Sequence, residues 1–121
     1  MRDPTRGGVA VTLNDITGAT GLNVEIDEAC LPINPMVQAA ADMLGFDVLN
    51  IANEGKFVAV VGAEDADECL QICRQHPLGK DAAIIGRITE SVGPAVVELL
   101  TKIGGRRIVQ MPYGRQLPRI C

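Results

Sequence analysis

The sequence predicts an α+β domain, a mixed or antiparallel sheet with helices on one face, followed by a flexible C-terminal tail. Three observations lead there. Segments with apolar residues at helical spacing interleave with segments of strand-like alternation or short apolar runs. Only three residues of 121 are aromatic although 47% are hydrophobic, so the core must be built from Val, Ile, Leu and Ala. Periodicity stops after Met111, where Pro112, Gly114 and Pro118 follow in quick succession. The expected organisation is a folded domain over 1–111 and a mobile tail over 112–121.

Asp3-Pro4 reads as a helix start, with an N-cap acceptor followed by a proline whose missing N–H costs nothing. Val9, Leu13 and Ile16 then share one face, and Gly18 and Gly21 close the segment. Leu22, Val24 and Ile26 alternate with Asn23, Glu25 and Asp27, the pattern of a half-buried strand. Asn34-Pro35 repeats the cap signal ahead of a Val37, Ala40, Ala41, Leu44 stripe, with Gly45 as a left-handed stop. Val48 to Ala52 and Phe57 to Val61 are apolar runs of strand length flanking Asn53-Glu54-Gly55-Lys56. A helix from about Asp65 to Gln75 is stopped by His76-Pro77. Ala82 to Ile88 reads as a strand. Val96 to Ile103 and Arg106 to Met111 read as a hairpin around Gly104-Gly105, although Val96, Leu99, Leu100 and Ile103 also fit a helix.

Charge narrows the partners. A net charge of −4 argues against nucleic acid, which needs clustered Lys and Arg. The last third is the exception, made locally basic by Arg106, Arg107, Arg115 and Arg119, so an anionic partner fits there. No run approaches the ~18–20 apolar residues of a membrane span, and Met1-Arg2-Asp3-Pro4 lacks a secretion-signal core. The four cysteines therefore read as reduced thiols in a cytoplasmic protein.

Four places carry candidate chemistry. Cys121 follows two prolines and ends the sequence, a poor place for a packing cysteine and a good one for a presented thiol. Seven extended residues from Arg115 reach roughly 23 Å. Asp3-Pro4-Thr5-Arg6-Gly7-Gly8 fits either a plain helix entry or a phosphate site, with glycines permitting close approach and Arg6 adding a bidentate contact. Glu54 is either a solvated turn residue screened by Lys56 or a general base at a strand end, the second requiring a raised pKa. Cys69 and Cys73 share a helix face and, like Cys30, are expected in core packing; His76 reads as a surface C-cap residue. There is no zinc-type spacing and no Ser–His–Asp pattern.

Met1-Arg2-Asp3-Pro4-Thr5-Arg6-Gly7-Gly8, Asn53-Glu54-Gly55-Lys56 and Gln116-Leu117-Pro118-Arg119-Ile120-Cys121 together resemble the HypE family of hydrogenase maturation proteins. That family is part of the PurM-like superfamily related to aminoimidazole ribonucleotide synthetase. The similarity covers the whole chain but only the C-terminal part of the family. Because the sequence opens directly on motif, it reads as an excised domain. The N-terminal domain that supplies most of the ATP site and the dimer interface is then missing.

The resemblance implies a mechanism. The thiol corresponding to Cys121 receives a carbamoyl group from the carbamoyltransferase HypF. ATP phosphorylates the thiocarboxamide oxygen, a base removes the amide protons, and phosphate leaves to give a thiocyanate. The cyanide passes to iron on a HypC–HypD complex and becomes a ligand of [NiFe] hydrogenase. By the same resemblance Glu54 is the acid/base residue. Asp3, Thr5, Arg6, Gly7 and Gly8 form a wall of the ATP site, and Pro118, Arg119 and Ile120 position the tail. The implied cofactor is ATP with Mg2+, held mainly by the missing domain, and the full-length protein is a homodimer through that domain. The fragment alone is expected to be inactive. The alternatives are a non-catalytic carrier or docking module, or a sister ATP-dependent synthetase or kinase of the same superfamily.

Overall fold

A computed structural model describes residues 1–111; the tail segment 112–121 lies outside the described residues, and with it Cys121, Pro118, Arg119 and Ile120. Three helices, α1 (Gly8–Thr20), α2 (Pro35–Leu44) and α3 (Ala66–Gln75), accompany four strands. The strands are β1 (Asn23–Asp27), β2 (Gly86–Thr89), β3 (Val97–Leu100) and β4 (Arg106–Ile108). The sheet order is β2-β1-β3-β4, with β1 antiparallel to β2, parallel to β3, and β3 antiparallel to β4. The sheet is therefore mixed.

Alternation in β1 and β3 decides which face is covered. Val24, Ile26, Val97 and Leu99 point to one side and are buried against Ala10 and Leu13 of α1, with Leu49 and Val109 completing the core. Burying an Ile, Val or Leu side chain is worth about 1.5–3 kcal/mol, so a core without aromatics still supplies its driving force through close packing. The opposite face is ionic. Glu25 sits between Arg87 at 2.6 Å and Arg106 at 2.9 Å, and Arg106 also reaches Glu98 at 3.0 Å. The hydrogen bond from Arg87, and then that from Arg106, hold the Glu25 carboxyl below the usual carboxylate range. Arg106 bridges two carboxylates that would otherwise face each other across the parallel β1–β3 pair.

Several elements stand as the residue pattern requires. Asn34 caps α2 through a side-chain acceptor for the Met36 N–H, and Gly45 ends it at φ 71°. Gly21 ends α1 in the same left-handed region. His76 is the C-cap residue of α3, and its Nδ1 accepts from the Leu78 N–H to start the next turn. The Gly104–Gly105 hairpin forms, with Thr101 bonded to Gly105 across it.

Other expectations are corrected. Asp3-Pro4 does not start α1. Arg2 pairs with Val58 in an isolated antiparallel bridge and the buried Pro4 offers its carbonyl to the Asn53 N–H, so residues 2–4 are committed to extended pairing. The helix begins at Gly8, with Gly7 as its N-cap residue. Val48 to Ala52 is no strand. The Asp47 carboxylate accepts from the Leu49 N–H and winds Val48–Asn50 into a 3-10 turn. Phe57 to Val61 is bridged only at Val58, and β2 is confined to Gly86–Thr89. The apolar stripe of α2 is mostly uncovered. Ala41 is buried, whereas Val37 and Leu44 are 50% and 67% exposed, because the sheet face is already occupied by α1 and the 48–50 turn. The cysteines are not core residues either: Cys30 is exposed on a 3-10 turn, and Cys69 and Cys73 are half-buried on α3.

Candidate functional site

The structure brings together two of the three motifs that the sequence singles out. The amide of Asn53 donates to the Pro4 carbonyl at 3.0 Å, and Arg2 and Val58 exchange backbone hydrogen bonds of 2.8 and 2.7 Å. The Asn53-Glu54-Gly55-Lys56 loop is thereby laid along the Arg2–Pro4 segment. Gly55, at φ 72°, provides the reversal that lets the chain return to Val58. An ion pair of 3.2 Å from Arg2 to Asp15 ties the N-terminal segment down the side of α1.

Along this wall Asp3, Arg6 and Glu54 are exposed and Thr5 is half-buried. Arg6 has no carboxylate partner among the described residues. The N-terminus of α1 has no side-chain cap and no acidic residue in its first turn, and Gly7, Gly8 and Ala10 there are buried. An exposed cation next to an uncapped helix start suits an anionic group. Glu54 is an exposed residue of the adjoining loop.

Gly7 and Gly8 have a task in the protein's own packing. Both have φ of 66°. A Cβ on Gly7 would meet the Val11 side chain. One on Gly8 would meet the backbone of the 48–51 turn, with the Ile51 carbonyl oxygen at 2.6 Å and the Asn50 carbonyl carbon at 2.9 Å. The glycines make room for the protein's own chain, so their conformations serve the helix entry first.

Two residues that the sequence reading did not single out belong to this region. Asn14 donates through Nδ2 to the Ala10 carbonyl at 2.8 Å and to the Val109 carbonyl at 2.9 Å, fastening the strand exit to α1. Asn50 has a buried Oδ1 without a hydrogen-bond partner among the described residues, directly under the Gly8 entry. The one available signal was a polar residue inside the apolar run Val48 to Ala52.

With that geometry in place, comparison with known proteins decides the family. Residues 1–98 match the family described as AIR synthase related protein, C-terminal domain. The chain belongs to this family. Within it, the chain is 50% identical over 121 residues to the carbamoyl dehydratase HypE of Cupriavidus necator, covering all of this chain and 34% of that protein. A solved structure of HypE in complex with ATP superposes with a TM-score of 0.91 at 38% identity, covering 99% of this chain and 37% of the other. A solved HypE–HypF complex gives 0.86 at 43% identity, covering 92% and 35%. The chain thus spans about a third of the length of the curated relatives it matches. Among the described residues of this AIR synthase related domain, no group of three His, Cys, Asp or Glu could hold a metal ion, and no helix is long and apolar enough to cross a membrane.

Proposed function

We propose that this domain is the thiol-bearing part of an ATP-dependent carbamoyl dehydratase, with Cys121 as the carrier of the group being dehydrated. The observation that carries the reading is the union of the Asp3–Gly8 wall with the Glu54 loop. It supports the reading because it sets an anion-suited surface beside a carboxylate in a chain 38% identical to a protein solved with ATP. ATP, when bound, supplies the phosphoryl group that turns the carboxamide oxygen into a leaving group. Mg2+ arrives with the nucleotide and is held mainly outside this domain.

The residues divide the work. Arg6 and the first N–H groups of α1 bind phosphate oxygens, with Thr5 adding a hydroxyl and Asp3 bounding the wall. Glu54 accepts a proton from the carboxamide nitrogen as the C–N bond order rises and phosphate departs. The overall change is thiocarboxamide plus ATP to thiocyanate, ADP, phosphate and a proton. Gly7 and Gly8 complete the wall, their backbone holding the helix entry in place.

Cys121 reaches this site by tether. The root of the arm is fixed at Val109, where the N–H donates to Val97 and the C=O accepts from Asn14 on α1. Twelve residues from Val109 to Cys121 span up to roughly 40 Å, whereas Asn14 lies only about 9 Å along α1 from Gly8 at 1.5 Å per residue. A tethered substrate gains effective concentration that a free one lacks. Pro118, Arg119 and Ile120 position the tail for the thiol. HypF is the proposed carbamoyl donor, as a HypE relative is solved with it. A HypC–HypD complex is the proposed cyanide acceptor, and the full-length protein is proposed to be a cytoplasmic homodimer.

The test uses the full-length protein with its carbamoyl donor and ATP. Cys121→Ala abolishes cyanated product on this reading. Thiocyanate forming at Cys30, Cys69 or Cys73 instead would remove Cys121 from the mechanism.

A further inference from the structure

A second surface lies apart from the Asp3–Gly8 wall. Between α2, the 48–50 turn and the β3–β4 pair lies an open cleft of about 180 Å3. That is well below a drug-sized pocket and suits the anchoring side chains of a surface-docked segment. Its floor is apolar, with Leu31, Ile33, Phe46 and Val48 lining it, and Phe46 is 43% exposed. Its rim is acidic. Glu28 accepts from the Lys102 backbone N–H and Asp42 from the Gln38 side chain, and neither has a cationic side-chain partner among the described residues.

We propose that residues 115–121 of this same chain dock in that cleft as a resting position. The segment Arg115-Gln116-Leu117-Pro118-Arg119-Ile120-Cys121 carries two arginines, no acidic side chain, and the apolar Leu117 and Ile120. That is the complement of an apolar floor with an acidic rim. The geometry of the root favours it as well. Arg107, which lines the cleft and pairs with Asp47 at 2.8 Å, is two residues before the anchored Val109. The chain must return only about 7 Å along the strand to come level with the cleft. The eight residues from Gln110 to Leu117 reach up to roughly 26 Å.

Docking has a consequence for Cys121. Leu49, which lines the cleft, also carries a carbonyl packed against Gly8, so cleft and glycine wall share the 48–50 turn while being lined by different residues. An arm seated in the cleft keeps its thiol off the wall, and leaving the cleft delivers it there. The docking itself is independent of the dehydratase reading; this consequence rests on it.

Nuclear magnetic resonance of the isotope-labelled 121-residue chain tests the docking. In Arg115→Glu/Arg119→Glu the Leu31, Phe46 and Val48 amides shift towards their undocked positions, and each reversed pair lowers the docked population about fivefold. Leu117→Asp moves the same resonances from the apolar side. Glu28→Lys/Asp42→Lys combined with the arginine reversals restores them. Unchanged Phe46 and Val48 resonances in both tail variants would overturn the docking. So would shifts confined to Arg6–Gly8 and Asn53–Lys56, which would instead place the resting arm on the wall and leave the dehydratase reading standing.

Discussion

Replacing Gly8 by alanine should cost far more than a helix-entry substitution ordinarily does. The left-handed φ of 66° costs a non-glycine residue about 1–2 kcal/mol. The new Cβ must also displace backbone atoms of Leu49, Asn50 and Ile51, which cannot rotate away as a side chain would. Overpacking of this kind costs about 1–3 kcal/mol, for a total of about 2–5 kcal/mol. At about 4 °C per kcal/mol for a domain of this size, Tm falls by about 8–20 °C. Gly18→Ala on the same helix is the control. Gly18 has helical φ and no heavy atom within 4 Å of its Cβ position, so alanine stabilises by about 0.5–1 kcal/mol and raises Tm by about 2–4 °C. Thermal unfolding followed by far-ultraviolet circular dichroism reads both. A Gly8→Ala protein melting within about 2 °C of the parent would refute the assignment of this glycine to internal packing.

Asn14→Ala leaves the Val109 carbonyl unpaired next to a buried side chain and should destabilise by about 1–3 kcal/mol in urea unfolding. Acid should weaken the outer sheet face. The Glu25 carboxyl is held below its ordinary value by Arg87 and Arg106, so its contribution is fully present above the unfolded carboxylate pKa of about 4.3 and is lost as pH falls through the lower folded value. A Tm–pH profile of Glu25→Gln should be flatter than the parent's below pH ~4, and parallel profiles would contradict the network's role. Glu54→Gln in the full-length protein should lower the dehydration rate by about 10²–10⁴-fold with little change in Tm, since the residue is exposed. A single-turnover rate within threefold of the parent would exclude Glu54 as the base.

The class of fold and most helices were legible because their signals are local. Asn34-Pro35, Gly45 and His76-Pro77 terminate helices by backbone chemistry that neighbouring elements do not override. The Asp3-Pro4 reading failed because pairing with Val58 and Asn53, some fifty residues away, outcompetes a local cap. Val48 to Ala52 misled because an apolar run looks alike in a strand and in a buried turn, and the Asp47 carboxylate that winds the turn precedes the run. The α2 stripe predicted burial correctly only at Ala41; periodicity states which residues share a face, not whether the protein covers it. For the site, residue types named the Asp3–Gly8 and Asn53–Lys56 segments, but only the Pro4–Asn53 contact made them neighbours. Asn14 and Asn50 were illegible because an asparagine acquires its role from a carbonyl or cavity distant in sequence.

The most direct test is the mass of the peptide containing Cys121 after the carbamoylated full-length protein is given ATP. The account predicts the loss of one water from that peptide, stoichiometric with phosphate release. Release of phosphate while the Cys121 peptide keeps its carbamoyl mass, or loses the whole group by hydrolysis, would contradict it.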